Sequence, residues 1–288
     1  MIFCILVTYK PSIEQLKLTI NSLISQVDKI VVVKNSNEEL YLDDNKICQI
    51  QLEHNMGIAY AQNRGIEYAL NGNATYILFS DQDTIYPEDF TLKSLACFER
   101  HNKEYIAAIV PLFYNENKQQ YAQVSISKNK AIKPIIGHDY ELEHAISSGS
   151  FVSVSAIKKN GLMNERLFID WVDTEWFWRA RQNGMKIICD TTNIINHTMG
   201  DSFKTVLGRR IVVYSDFRNY FFFRNGFYLL YHSHLFNLSE WIGFHNFLFL
   251  KSILFFITSG FSFSHLRLFF KAMNKGICNT FSLEEEIK

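Results

Sequence analysis

The sequence predicts an α/β protein, a mostly parallel sheet flanked by helices, continued by an aromatic-rich helical extension at the C-terminus. Three observations lead there. Short apolar runs alternate with helical patterns through the first two hundred residues. Of the 25 Phe, 15 lie between Phe217 and Phe270. Charge is also uneven: residues 1–201 hold 19 basic and 24 acidic side chains, residues 202–288 hold 10 and 5. With 48% hydrophobic residues among 288, the chain can bury roughly 75% of its unfolded surface, which excludes disorder. Lys plus Arg and Asp plus Glu number 29 each, so a nucleic-acid binder working by bulk electrostatics is excluded as well.

Ile2–Thr8 is an apolar run suited to a strand buried on both faces. After Pro11-Ser12, a helical pattern puts Ile13, Leu16, Ile20, Leu23 and Ile24 on one face. Lys29–Val33, Ile47–Leu52 and Thr75–Ser80 read as strands, with a helix from Gly57 to Leu70. This alternation predicts βαβ units and a ligand site at the carboxyl ends of the strands. Beyond Pro87 come a helix and the strand Tyr105–Pro111. Polar Tyr114–His144 reads as a hairpin excursion, and Gly149–Ala156 is apolar again. Asp173–Asn183 is a helix closed by Gly184. Met185–Cys189 is expected to be the last core strand.

The five cysteines are odd in number, far apart and without a CxxC pair, which fits a reducing cytoplasm. Lys10-Pro11 ends the first apolar run too soon for a signal peptide. In the tail, Trp241–Phe263 nears the roughly 20 apolar residues of a membrane span, but His245, Asn246, Lys251 and Gly260 interrupt it. The tail is therefore expected to lie on the body and partly in a membrane interface. An ordinary buried helical cap is the alternative.

Three constellations carry chemistry. Asp81 and Asp83, two residues apart just past a strand end, can offer oxygens to a hard divalent cation. Between Phe168 and Arg179, three acids (Asp170, Asp173, Glu175) alternate with large aromatics. Exclusion of water there would suit a general base, although a helix start with acids in its first turn explains the same spacing. His197 follows the last strand and gains meaning only as a further metal ligand. Asn55-Met56-Gly57 and Gln62-Asn63-Arg64-Gly65 could be a turn and a helix face, or contacts to a nucleotide.

In order, VTYKP at 7–11, HNMGIAYAQNRGIEYA at 54–69, YILFSDQDTIYP at 76–87, the long stretch 147–184, NHTMGD at 196–201 and YFFFRN at 220–225 resemble the inverting family 2 glycosyltransferases of the GT-A fold. The likeness is to the rhamnosyltransferase-like branch that builds O-antigen and capsular polysaccharides. It implies a catalytic domain over 1–205, with a nucleotide-sugar half (1–100) and an acceptor half (101–205), and a helical region over 206–288.

The resemblance also implies roles. Thr8 and Tyr9 would line the nucleobase and ribose pocket, Asn35 would contact the base, and Asn55, Gly57 and Asn63 would shape the pocket. Asp81 would face ribose and metal, Asp83 would be the main metal carboxylate, and His197 would complete the site for Mg²⁺ or Mn²⁺. Asp173 falls on the catalytic base position, with Glu175 and Asp170 as supporting acids. Where many relatives have Asp-Asn, this chain has Lys34-Asn35, which bears on base contacts and not on transfer. The implied donor is a nucleotide-diphosphate sugar, with dTDP-L-rhamnose favoured over galactofuranosyl, galactosyl and N-acetylhexosaminyl donors. The implied acceptor is a glycan on undecaprenyl diphosphate, met at the inner face of the bacterial membrane. An inactive GT-A scaffold is the rival from another class.

Overall fold

The computed structural model describes every residue except 117, 128–129, 197–202, 207–208, 213, 261 and 281–288; for 203–206 and 209–212 it describes backbone alone. The chain forms two compact units, one of residues 1–165 and 172–198, the other of 166–171 and 199–288.

The first unit opens with β1 (Ile2–Thr8), α1 (Ile13–Leu23), β2 (Lys29–Lys34), β3 (Ile47–Gln51), α2 (Ile58–Asn71) and β4 (Tyr76–Ser80). Then follow α3 (Phe90–Arg100), β5 (Ile106–Asn115), β6 (Gln120–Tyr121), β7 (Val124–Ser127), β8 (Lys130–Ile132) and β9 (Tyr140–Leu142). It closes with β10 (Phe151–Ser153), α4 (Val154–Asn160), α5 (Val172–Gln182) and β11 (Lys186–Asn196). The sheet order is β3-β2-β1-β4-β10-β5-β11-β9, with β6 beside β5. β3, β2, β1 and β4 are mutually parallel, as are β5 and β11. β10 joins the two parallel blocks by running antiparallel to both β4 and β5. Ser153 then starts α4, its Oγ accepting the Ala156 N–H at 3.2 Å. The apolar stretch after Gly149 is thus a three-residue strand followed at once by a helix.

Strand alternation sorts the helices onto two faces. Cys4, Leu6, Ile30, Val32 and Leu78 share one cluster with Leu16, Ile20 and Leu23 of α1 and Phe90, Cys97 and Phe98 of α3. On the other face, Ile5 meets Gly65 of α2, where an added Cβ would lie 2.5 Å from Ile5 Cγ2. The 114–144 excursion contains the two-stranded sheet β7–β8, and β9 returns to the edge of the main sheet.

β11 is longer than the expected strand at 185–189. Its register shifts between Asp190 and Ile194, after which Ile194 and Ile195 pair with Leu112 and Phe113. Side chains stabilise the irregularity. Asp190 accepts from Thr192 N at 3.0 Å, and Asn193 Nδ2 donates to Phe90 O at 3.0 Å. The polar run that hid this half of the strand is the bulge itself. All five cysteines are free thiols.

The second unit holds the hairpin β12 (Phe203–Val206) and β13 (Arg209–Val212), then α6 (Asp216–His232), α7 (Leu238–Ser259) and α8 (Phe263–Cys278). Phe223, Phe227, Leu230, Leu248, Phe255, Phe269 and Ala272 form its core. Two glycines set how closely the helices approach. A Cβ on Gly226 would lie 2.6 Å from Leu248, and one on Gly276 would collide with the Arg224 carbonyl. α7 starts in a capping box between Asn237 and Glu240.

Segment 166–171 belongs to this unit because α6 holds it. Phe168, Asp170 and Trp171 have φ of 59°, 61° and 67°, a left-handed conformation that costs about 1 kcal/mol or more per residue. Asn225 Nδ2 offsets this by donating to the carbonyls of Leu167, Ile169 and Asp170 at 2.7, 2.7 and 3.0 Å. Arg224 Nη1 donates to Arg166 O, and Trp171 Nε1 to Phe222 O. The Arg-Asn of YFFFRN therefore has a structural task.

Candidate functional site

The site grows from the carboxyl ends of β1, β2 and β4. The Asn35 N–H donates to Thr8 O at 2.8 Å. Its side-chain Nδ2 donates to Asn55 Oδ1 at 2.9 Å, and its Oδ1 accepts Met56 N–H at 2.7 Å. Asn55 Oδ1 also accepts Gly57 N–H at 3.1 Å. Gly57, with φ 84°, precedes α2 in a conformation that a side chain would strain. Thr8, Asn35, Asn55 and Gly57 are thus joined into one polar wall. Within it the Thr8 side chain is fully buried, and its Oγ1 has no partner among the described residues. Tyr9 is exposed beside it.

The loop after β4 is pinned through its middle residue. Gln82 Oε1 accepts Tyr9 N–H at 2.8 Å, and its Nε2 donates to Tyr9 O at 3.3 Å. From α1, Thr19 Oγ1 donates to Gln82 O at 3.2 Å and Gln15 Nε2 to Asp83 O at 3.3 Å. Asp81 is half-buried on one side of this anchor, and Asp83 is exposed on the other. Asp83 opens onto a cleft of about 920 Å³ that Gln15, Gln82, Tyr86, Glu116 and Asn196 help to line. Its polar wall offers mainly hard oxygen donors, the kind that Mg²⁺ or Mn²⁺ takes. Asp83 and the cleft's oxygen donors are of the kind a divalent cation takes; Asp81 is not among the residues that line the cleft. His197 lies outside the described residues, one position beyond Asn196.

Asp173 and the Asp83 loop hold opposite sides of one turn. Asp173 Oδ2 accepts Ser147 N–H at 3.0 Å, while its Oδ1 accepts Thr174 N–H at 2.9 Å. Ser148 Oγ lies 3.3 Å from Thr84 Oγ1. Two backbone donors fix the plane of a half-buried carboxylate at the start of α5. Its neighbour Glu175 is otherwise engaged. Only 6% exposed, it takes Arg179 Nε at 2.9 Å and Nη2 at 3.1 Å, and Arg179 also donates to the carbonyls of Asn160 and Leu162. Both Glu175 oxygens are committed to that pair.

Two further residues turn to structural partners. Asn63 Nδ2 donates to Met163 O at 3.0 Å and Glu165 Oε1 at 2.8 Å, and its Oδ1 accepts Met163 N–H at 2.9 Å. It ties α2 to the 163–165 loop. Asp170 belongs to the helical unit and pairs with Arg218 at 3.1 Å. Burial pushes its carboxyl above the usual range, against the pull of Arg218.

Another ligand-like group lies at the end of α3, where Cys97, His101 and Asp139 bring one atom each within 4.8 Å. Arg100 donates to Asp139 Oδ2 at 3.2 Å, on the oxygen that His101 approaches at 3.0 Å. Burial pushes the Cys97 thiol up to about 12. A guanidinium and an un-ionised thiol make this an ion-pair network that shares no residue with the cleft. Gln15 and Glu116 escape sequence reasoning, because each reaches the site from a distant element. Asn196 and the Ser147-Ser148 turn fall inside stretches that carry the resemblance, without a role of their own there, and Gln82 is flanked by the two acids.

A model of glycosyl transferase family 2 matches residues 4–161. The dTDP-rhamnosyl transferase RfbF of Shigella flexneri is 33% identical over 243 residues, covering 81% of each chain. Among solved structures, S. aureus TarS has a TM-score of 0.62 at 14% identity; the alignment covers 99% of this chain and 50% of TarS, so this chain spans half that protein's length. TarS 1–349 in complex with UDP-GlcNAc has a TM-score of 0.61 at 16% identity, covering 96% and 81%. GalNAc-T7 with UDP, GalNAc and Mn²⁺ has a TM-score of 0.58 at 14% identity, covering 91% and 58%. These structures share the GT-A fold with the present one. The family match over more than half of the chain, with a relative 33% identical across most of it, makes this protein a glycosyltransferase that belongs to family 2.

Proposed function

We propose that this enzyme moves L-rhamnose from dTDP-L-rhamnose onto a hydroxyl of a growing, lipid-linked bacterial surface glycan, inverting the anomeric centre. The observation that carries the reading is the single turn at Ser147-Ser148, bonded to Asp173 on one side and to the loop of Asp81 and Asp83 on the other. A base and a diphosphate-binding loop fixed to one turn suit a direct displacement. The name of the 33% identical relative supports rhamnose as the sugar.

In this reading Thr8, Tyr9, Asn35, Asn55 and Gly57 receive the nucleoside, and Asn63 supports them from behind. Asp81 and Asp83 present their carboxylates to the diphosphate end, with His197 as a third metal ligand. A divalent cation bound there supplies positive charge that stabilises the departing nucleoside diphosphate. Asp173 accepts the proton of the acceptor hydroxyl as that oxygen attacks the anomeric carbon. Its two backbone N–H partners hold the carboxylate in orientation. Glu175, locked to Arg179, shapes the helix and does not share the proton. The acceptor, a glycan on undecaprenyl diphosphate, keeps the enzyme at the inner face of the cell membrane.

Thermal stability with dTDP-L-rhamnose, UDP-galactofuranose, UDP-galactose and UDP-N-acetylglucosamine, each with and without Mn²⁺, tests the donor. A true donor raises Tm by an amount that grows with the logarithm of its concentration over Kd. The expected result is a Mn²⁺-dependent rise with dTDP-L-rhamnose above the others. A preference for a UDP-sugar overturns the donor and keeps the chemistry.

A further inference from the structure

We infer that the outer faces of α7 and α8 dock on an anionic lipid bilayer, with α7 lying in the plane of the interface and not crossing it. This deepens the membrane reading above by naming the surface, and it holds whichever sugar is transferred.

α7 is apolar on two sides. One side carries Leu248, Ser252 and Phe255 into the core of the helical unit. The other presents Ile242, Phe249, Leu250, Ile253 and Ile257 to solvent, at the three- and four-residue spacing of a helix stripe. Phe249 is 58% and Leu250 60% exposed, and Leu238 at the helix start is 77% exposed. α8 adds Phe263, Leu266 and Phe270, Phe263 being 88% exposed. Large apolar side chains concentrated on two consecutive helices are more than the scattered exposure of an ordinary surface.

Charge selects the occupant. Among the described residues of α7 and α8, the cations are Lys251, Arg267, Lys271 and Lys275, and the single acid is Glu240. Glu240 is engaged in the capping box with Asn237. A second copy of this surface would bring like charges together, whereas anionic headgroups complement them. Aromatic and aliphatic groups flanked by Lys and Arg match a helix seated in a headgroup layer.

Length alone would let α7 span: it has 22 residues, and an 18-residue window within it has a mean hydropathy of 1.4. Spanning would strip Leu248 from its seat against Gly226 and break the bond from Trp241 Nε1 to Leu230 O at 3.0 Å. It would also carry Lys251 towards the bilayer centre, at about 2.5–3.5 kcal/mol. In the interface plane the core contacts survive, and Lys251, two residues from both Phe249 and Ile253 and so on the far side of the helix, stays out of the hydrocarbon.

The test is flotation of the purified full-length enzyme with vesicles of phosphatidylcholine alone or with about 30% phosphatidylglycerol. Flotation is expected with the anionic vesicles, reversed by salt and by alkaline wash. Arg267→Glu and Lys271→Glu, beside the exposed face of α8, should each lower it about fivefold or more, and Phe249→Glu with Leu250→Glu should abolish it with Tm unchanged. No flotation of the wild type with anionic vesicles overturns the inference. So does resistance to alkaline wash, which means a span, or a dimer in solution that Phe249→Glu dissociates. Donor-dependent transfer to a water-soluble acceptor is assayed in parallel, so failure of the surface and failure of the rhamnosyl reading are seen separately.

Discussion

Helices α5 and α7 reverse the usual relation between polarity and burial. α5 carries Asp173, Glu175, Arg179 and Arg181 within 11 residues, yet buries Glu175, Trp176, Phe177 and Trp178. α7 has twice the length and one central charge, yet buries only Leu248, Ser252 and Phe255. A polar helix goes inside when each charge finds a partner or a task. An apolar helix stays outside when its second face has no protein to cover it. Within α5 the carboxylate of Glu175 goes inward with Arg179 as its partner and Asp173 stays half-buried, whereas α7 turns an apolar face outward.

The largest effect should come from Asp173, the base we propose on α5. Asp173→Asn is expected to lower transfer by about 10³-fold, within the range for general base catalysis, while donor binding and Tm stay near wild type. A nucleotide-release assay beside a melt measures both, and wild-type-like turnover removes Asp173 as the base. Its structural neighbour should respond in the opposite sense. Arg179→Ala leaves the Glu175 carboxylate buried and unpaired, at about 3–5 kcal/mol, so unfolding in urea should shift markedly. A midpoint close to wild type would mean that the Glu175–Arg179 pair does not hold α5.

On α7 the comparison sharpens within one turn. Leu248→Ala should cost about 2–4 kcal/mol of stability, and Leu250→Ala no more than about 0.5 kcal/mol. Equal losses would show that both faces are packed. The smallest effect concerns His144, whose ring lies 6.1 Å from that of Trp178 and whose pKa burial lowers. Neutral His144 suits the fold, so its contribution is present above the ordinary histidine range and is lost as pH falls through that range. Acid melts should therefore flatten slightly in His144→Gln. An unchanged pH dependence would discard this contribution.

Much of the site was readable because its signals are contiguous. Asp81 and Asp83 follow a strand within one short string, and the acids of α5 stand two residues apart. What each acid does was not readable. Glu175 is committed by Arg179, four residues along, which is itself held by donating to the carbonyls of Asn160 and Leu162 outside the helix. Asn63 reads as a pocket residue from its helix, but its partners Met163 and Glu165 lie about a hundred positions away. β10 was hidden for a similar reason: three residues are too few to show a period, and its direction depends on β4 and β5.

The sequence by itself determined the α/β class, the alternation of strands and helices up to β4, and which acids stand just past β4 and at the start of α5. These depend on local periodicity and on residue type at a strand end. Only the tertiary structure decided that Ser147 and Ser148 join Asp173 to the Asp83 loop, that Asn225 holds the left-handed segment before α5, and that one face of α7 is left exposed by the described residues. Hydrogen bonds and burial form between residues remote in sequence, so their geometry exists only once the chain has closed on itself.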